Sequence, residues 1–247
     1  MPKPAHPVVL ITGAARRIGA AVVRRLHAEG FDIALHYHRS TVEAQALAAE
    51  FNAVRADSML TLSADLADDA RLATMVDEAA RWHGRLDALV NNASSFHATP
   101  VGSIDGAAWD GLFASNARAP LFLSQAAAPH LAARQGAIVN MVDIYAERPL
   151  REHTVYGMAK AALVAMTQSL AIELAPQVRV NAIAPGAILW PENGKDYTER
   201  DAMIAATPLK RCGEPEDIAS TVLWLLRDAK FVTGQVIRVD GGRSLTL

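Results

Sequence analysis

Short runs of continuously apolar or β-branched residues recur along the chain, separated by longer stretches in which apolar residues return at helical spacing. Seven of these runs predict strands: Val8–Thr12, Phe31–Tyr37, Met59–Ala64, Leu86–Asn91, Ala137–Met141, Val178–Ala184 and Gln235–Val239. Strands that are apolar throughout, rather than alternating, suit a parallel sheet covered on both faces, and strand–helix alternation requires right-handed crossovers. The predicted fold class is therefore α/β, a doubly wound parallel sheet of seven strands with helices on both faces.

No Pro/Ser-rich linker, charge run or internal repeat divides the sequence, so residues 1–247 are predicted to form one domain. A helix from about Thr154 to Leu174 is apolar around most of its circumference, which requires burial on more than one side, against the sheet and a partner subunit. The least regular stretch runs from Gly186 to about Thr207 and carries Pro191, Asn193 and Gly194. A long connection at this point is read as a lid or binding loop over the substrate.

Composition narrows the partners. With 24 Lys+Arg against 26 Asp+Glu, a net charge of -2 supplies no basic field for a polyanion, so nucleic acid is not an expected partner. The one cysteine, Cys212, excludes an intrachain disulfide and fits a reducing compartment; it is expected to be a small wall residue. The start, Met-Pro-Lys-Pro-Ala-His-Pro, lacks the features of a secretion signal, and no apolar run reaches the ~20 residues of a membrane span. A cytoplasmic protein that does not cross a bilayer is expected.

Strand one runs into Thr12-Gly13-Ala14-Ala15-Arg16-Arg17-Ile18-Gly19, and a helix from Ala20 to Glu29 follows at once. A glycine-containing turn between a first strand and a helix is where backbone amides and the positive helix end receive a pyrophosphate, so this segment predicts a dinucleotide site. The end of strand two selects among dinucleotides, because a carboxylate there accepts from a ribose 2′-hydroxyl but repels a 2′-phosphate. Here it reads His36-Tyr37-His38-Arg39-Ser40. Arg39 offers a planar fork, Ser40 a hydroxyl and Arg16 a second cation, which favours NADPH, unless Arg39 is simply a solvated loop residue. Asp65-Leu66 closes strand three, where Asp65 either accepts from an adenine amine or caps the helix starting near Asp68. Strand four ends Asn91-Asn92-Ala93-Ser94-Ser95-Phe96, small residues that admit a cofactor, followed by an aromatic that either packs its loop or lies against a planar ring.

The sharpest chemical signal is Tyr156-Gly157-Met158-Ala159-Lys160 at the start of a helix. An i,i+4 pair shares one face, so the Lys160 charge is expected to favour the tyrosinate and lower the pKa of Tyr156 toward working pH. Taken together, Thr12 to Gly19, Asn91-Asn92-Ala93, Asn116, Tyr156 to Lys160, Pro185-Gly186 and Asp240-Gly241-Gly242 resemble the short-chain dehydrogenase/reductase family over essentially the whole chain. The resemblance implies a Rossmann-type fold, a homotetramer or homodimer, hydride transfer from a nicotinamide, cofactor contacts at Pro185 and Gly186, and a relay water held by Asn116. The alternative for Asn116 is an ordinary helix-surface amide.

Two departures from that family are informative. Arg17 stands where the family usually has glycine, and Asp143 replaces the catalytic serine thirteen residues before the tyrosine. An ionised carboxylate there would repel the oxyanion formed in ketone reduction, whereas reducing a C=N bond requires a proton at nitrogen, which a carboxyl beside a phenol and an ammonium helps deliver. Both departures are similar to the pteridine reductase subgroup, as are His36 to Ser40, Asn92 to Phe96, Asn140-Met141-Val142-Asp143 and Asp240 to Thr246. That similarity implies a role in pterin and folate metabolism. Arg17 would lie near the cofactor phosphates and the pterin, Ser94 would touch cofactor and substrate, and Phe96 would sandwich the pterin against the nicotinamide. Asp143, Tyr156 and Lys160 would deliver the proton. Leu189 and Trp190 would cover the substrate, with Trp190 as a subunit contact the alternative.

The eight histidines lack the spacing of a helical zinc site, His36 and His38 are read as flanking the cofactor, and no metal is expected. No G-x-S-x-G nucleophile turn is present. The expected activity is NADPH-dependent pteridine reduction. Its rivals are a carbonyl reductase of the same family, an inactive variant that has lost the serine, and a non-catalytic NADPH-binding sensor.

Overall fold

The computed structural model describes residues 6–189 and 197–247. Its seven strands are β1 (Val8–Ile11), β2 (Asp32–Tyr37), β3 (Met59–Ser63), β4 (Ala88–Asn91), β5 (Ala137–Met141), β6 (Arg179–Pro185) and β7 (Val236–Val239). Every pairing is parallel and the order is β3-β2-β1-β4-β5-β6-β7, the Rossmann-type arrangement. The helices are α1 (Arg17–Ala28), α2 (Thr41–Val54), α3 (Asp69–Trp82), α4 (Gly106–Phe113), α5 (Ala119–Ala132), α6 (Thr154–Glu173), α7 (Tyr197–Ala206) and α8 (Pro215–Arg227).

Side chains alternate across the sheet, so each apolar strand feeds two cores. Val9 and Ile11 join Val22 and Leu26 of α1, Leu47 of α2 and Val222 of α8 on one face. Val8 and Leu10 join Leu72 and Met75 of α3 and Leu123 and Leu131 of α5 on the other. All four β1 side chains are fully buried. Each contributes about 1.5–3 kcal/mol of transfer free energy, which explains why a strand this short needs no alternation to hold its place.

Chain order reverses between β1 and β4, and the crevice at their carboxyl ends is where an open α/β sheet binds ligands. Gly13, with φ of 60°, turns the chain there, and a Cβ on it would stand 2.9 Å from the Ala93 Cα. Only glycine lets the two loops approach this closely.

Three expectations change. Helix α1 begins at Arg17 rather than Ala20, because the turn passes into the helix without an intervening loop. The stretch from 186 to 207 includes α7, whose Glu-Arg-Asp-Ala-Met-Ile-Ala-Ala is dominated by helix formers downstream of Gly194. Finally, α6 is 20 residues long and apolar enough to pass the length and composition test for a membrane span, contrary to the sequence expectation. Its buried face, with Val155, Tyr156, Ala159, Lys160, Leu163, Thr167 and Ala171, belongs instead to the protein core and carries two of the candidate catalytic groups.

Candidate active site

The turn after β1 is held from below by His36. The Gly13 N–H donates to its Nδ1 at 3.2 Å, and Nε2 pairs with the Ala64 carbonyl at 3.2 Å. Burial pushes the His36 imidazole down to about 4, so it stays neutral and keeps the tautomer this bridge requires. From the other side, Asn92 Nδ2 donates to the carbonyls of Thr12 and Gly13 at 2.9 and 3.0 Å, while Thr12 Oγ1 accepts from the N–H groups of Asn92 and Ala93 at 3.0 Å each.

Above this frame lies a cavity of about 370 Å³ lined by Gly13, Arg16, Arg17, Ile18, Gly19, Tyr37, His38, Arg39, Ser40, Asn92, Ala93 and Ser94. A second, of about 470 Å³, adds Asp65 and Leu66 and shares Gly13, His38, Arg39, Ala93 and Ser94 with the first. Among the described residues, Arg17 and Arg39 have no ion-pair partner, whereas Arg16 meets Glu43 at 3.4 Å. Ser40 stands at the N-cap of α2 without using its hydroxyl as a cap, leaving that group free for a ligand. Arg17 adopts φ of 52°, a left-handed conformation that costs a non-glycine residue energy. Asp65 is not the helix cap. Asp68 fills that role, accepting from the Ala70 N–H at 3.2 Å, while Asp65 closes its own turn on the Ala67 N–H at 3.0 Å and faces His38 at 3.8 Å.

Asp143, Tyr156, Lys160, Asn116 and Phe96 line neither cavity; they meet the cavities at Ser94, which borders both and bonds to Asn116. Asp143, just past β5, accepts from the Tyr145 N–H at 2.9 Å through one oxygen and from the Tyr156 hydroxyl at 2.7 Å through the other. Lys160 is 1% exposed; its Nζ donates to the Met141 carbonyl at 2.8 Å and lies 5.7 Å from the Tyr156 ring centre. Burial drives the Asp143 carboxyl above the ordinary carboxylate range. Burial also lowers Lys160 to about 8, against the pull of Asp143.

The expected lowering of the Tyr156 pKa is reversed. Burial and the adjoining Asp143 carboxylate push it up, with the Ser94 hydroxyl acting weakly the other way. The i,i+4 spacing shows the lysine but neither the burial nor the carboxylate that outweigh it. The phenol is therefore a proton donor held against an acceptor, not a ready tyrosinate.

Asn116 is fully buried, which overturns the surface-amide alternative. A π-helical turn over Ala114–Arg118, between α4 and α5, swings it inward. Its Nδ2 donates to the carbonyls of Ser95 and Leu112 at 2.9 Å each, and its Oδ1 accepts from Ser94 Oγ at 2.7 Å. Phe96 is 49% exposed and touches the Tyr156 ring edge-on at 4.8 Å. It also stacks on His153 at 4.5 Å and 16°, a residue the sequence reading missed; its signal was the i,i+3 spacing to Tyr156.

Pro185, Gly186 and Leu189 do not line either cavity. Gly186 instead packs on Asp240, where a Cβ would meet the Asp240 Cα at 2.7 Å. Leu189 is exposed, with φ of 54°, and Trp190 lies outside the described residues. Cys212 is half-buried.

A family model described as enoyl-(acyl carrier protein) reductase matches residues 13–244. The chain is 40% identical to a pteridine reductase 1 from Leishmania tarentolae, over 98% of both chains. It is 35% identical to a 3-oxoacyl-(acyl-carrier-protein) reductase from Staphylococcus aureus, covering 94% of this chain and 96% of that one. The corresponding Staphylococcus epidermidis protein is 34% identical over 94% and 97%.

Proposed function

Because the chain belongs to the short-chain dehydrogenase/reductase family and is an oxidoreductase, we propose that it is an NADPH-dependent pteridine reductase. The observation that carries this reading is the 2.7 Å bond between the Tyr156 phenol and the Asp143 carboxylate, where ketone chemistry would want a neutral donor. The likeness to the Leishmania pteridine reductase supports the same substrate class.

NADPH fits the cationic end of the cleft. Gly13 and Gly19 hold the turn open to a pyrophosphate, with Ile18 against it, and Arg39, Ser40, Tyr37 and His38 would hold the 2′-phosphate. Asp65 and Leu66 border the adenine, while Arg17 would lie between the phosphates and the substrate. Bound there, the cofactor would supply the hydride. Asn92, Ala93, Ser94 and Lys160 would flank its nicotinamide half, and Pro185 and Gly186 would shape the strand end beyond.

Tyr156 supplies the proton to the ring nitrogen. Asp143 orients the phenol and takes up the charge redistribution, its burial holding the carboxyl pKa above the ordinary value. Lys160 keeps a positive charge beneath the pair, and Asn116, through Ser94, connects the phenol to a relay. Phe96 would hold the flat ring at reacting distance. The whole chain would act as one catalytic domain, with Leu189 in the segment over the substrate. Exposed apolar residues on α5 and α6, including Phe122, Met158 and Ile172, suit assembly as a homotetramer.

A second reading, ketoacyl or other carbonyl reduction, is favoured by the likeness to the staphylococcal reductases. One assay separates the two: NADPH oxidation with dihydrobiopterin, dihydromonapterin and dihydrofolate, beside acetoacetyl thioesters, for the parent chain and Asp143→Ser. Pterin-dependent oxidation that collapses in the variant is expected. Thioester turnover by the parent with none on pterins establishes the carbonyl reductase.

A further inference from the structure

Phe96 sits in the extended loop between β4 and α4, with no regular secondary structure to fix its ring. Its position comes from two side chains at the start of α6. His153 covers one face of the ring in a parallel stack, and Tyr156 meets its edge at an interplanar angle of 85°. His153 and Tyr156 are three residues apart and so share one side of the helix start.

Both gripping residues are themselves anchored. Tyr156 is buried and bonded to Asp143, and His153 donates from Nδ1 to the Arg151 carbonyl at 2.8 Å. A backbone bond from the Thr99 N–H to the Glu152 carbonyl at 2.6 Å ties the Phe96 loop to the same segment. His153 also forms part of the wall of a cavity of about 270 Å³ lined by Tyr145, Leu150, Gly157 and Met158. Without the imidazole, the Phe96 ring would have free volume to turn into.

We propose that His153 is a positioning residue: it backs the Phe96 ring, so that the remaining open face of Phe96 stands ready to stack on a flat heteroaromatic substrate. The proposal rests on the pterin reading for the identity of that ring. Nothing in it requires His153 to touch substrate or to change its charge. What it supplies is a planar partner, and another aromatic ring would serve.

The test uses the full chain with NADPH and dihydrobiopterin, comparing the parent, His153→Ala, His153→Phe, Phe96→Ala and the double Ala variant. His153→Ala is expected to raise KM for the pterin by about threefold to tenfold, the range an aromatic stack supports. NADPH affinity, read by cofactor fluorescence in the binary complex, should stay unchanged and report an intact fold. His153→Phe should restore KM. In the Phe96→Ala background, His153→Ala should add no further loss. An unaltered KM, a loss that persists without Phe96, or a failure of Phe to rescue would each overturn the proposal. A crystal structure of His153→Ala reads the brace without substrate: a turned Phe96 ring is expected, and a ring still in the parental position overturns it. If the parent chain leaves pterins unreduced, the pterin reading falls while this crystallographic arm still decides the brace.

Discussion

At the nucleotide end of the cleft a turn of main chain lies beside cations of which two, Arg17 and Arg39, have no ion-pair partner among the described residues, whereas at the catalytic end the reacting side chains already hold one another. In the first region the main chain at Thr12 and Gly13 is held in place by the Asn92 amide, the Thr12 hydroxyl and the His36 ring. In the second, Tyr156 is bonded to Asp143, Lys160 to the Met141 carbonyl, and Ser94 to Asn116. The first region therefore gains a partner when an anion arrives. The second is already organised in a buried setting, where fixed dipoles and charges act strongly on a reacting atom. Changes at the first end should act on cofactor affinity, and changes at the second on rate.

The strongest way to break this division is at Asp143. Replacing it with Asn keeps the size but removes the charge that holds the Tyr156 hydroxyl. The expected result is a loss in kcat of about a hundredfold to ten-thousandfold, the range for removing a positioned acid–base group. Tyr156→Phe should do the same, and NADPH affinity should move little in either. If cofactor affinity falls as far as kcat, the two ends are not separable. At the nucleotide end, Arg39→Ala should weaken NADPH by about 1.5–3 kcal/mol while leaving NADH nearly unchanged. Equal losses for both cofactors would remove the 2′-phosphate from this position.

The catalytic end also predicts a pH profile. With Lys160 lowered to about 8, its ammonium persists below that pH and is lost above it, earlier than an exposed lysine would lose its charge. Reduction, which needs the positive charge beneath the phenol, should decline through pH 8 rather than beyond 10. The profile of kcat/KM for NADPH reports the free protein and checks this; an alkaline limb lying near 10 would mean that Lys160 keeps its charge through another partner.

The two ends also differ in how much of them is legible in the sequence. Strand spans were legible because each is an unbroken apolar run, and β5 has the predicted bounds, Ala137 to Met141. The glycine turn between β1 and α1 was legible because its glycines follow a strand and open a helix. At the catalytic end the residue types were visible but their balance was not. Tyr156 and Lys160 are neighbours in sequence, while Asp143 reaches the phenol from another element, and burial reverses the sign that spacing suggests. The π-turn that buries Asn116 leaves no periodic mark. Asp65 was read as a possible cap of a helix starting near Asp68, and only the backbone geometry shows Asp68 itself to be the cap. His153 was missed because its partner, Phe96, comes from a loop with no pattern of its own.

The finest test of the comparison concerns Arg16, an arginine at the nucleotide end that is already paired. Arg16 meets Glu43 at 3.4 Å across an exposed pair, with side chains 60% and 43% accessible, so their attraction is weak and screened by salt. Glu43 lies in the first turn of α2, directly after Arg39 and Ser40, where a 2′-phosphate would also draw on Arg16. The carboxylate would thus compete with that phosphate for Arg16 and repel it. Glu43→Gln should free the guanidinium and tighten NADPH about twofold to fivefold at low salt, in keeping with a surface pair of roughly 0.4–1 kcal/mol. The gain should shrink as salt is raised, and NADH should be unaffected. A Glu43→Gln chain that binds NADPH no better, or binds both cofactors equally better, would show that Arg16 takes no part in reading the phosphate and would leave Arg39 to distinguish the two cofactors.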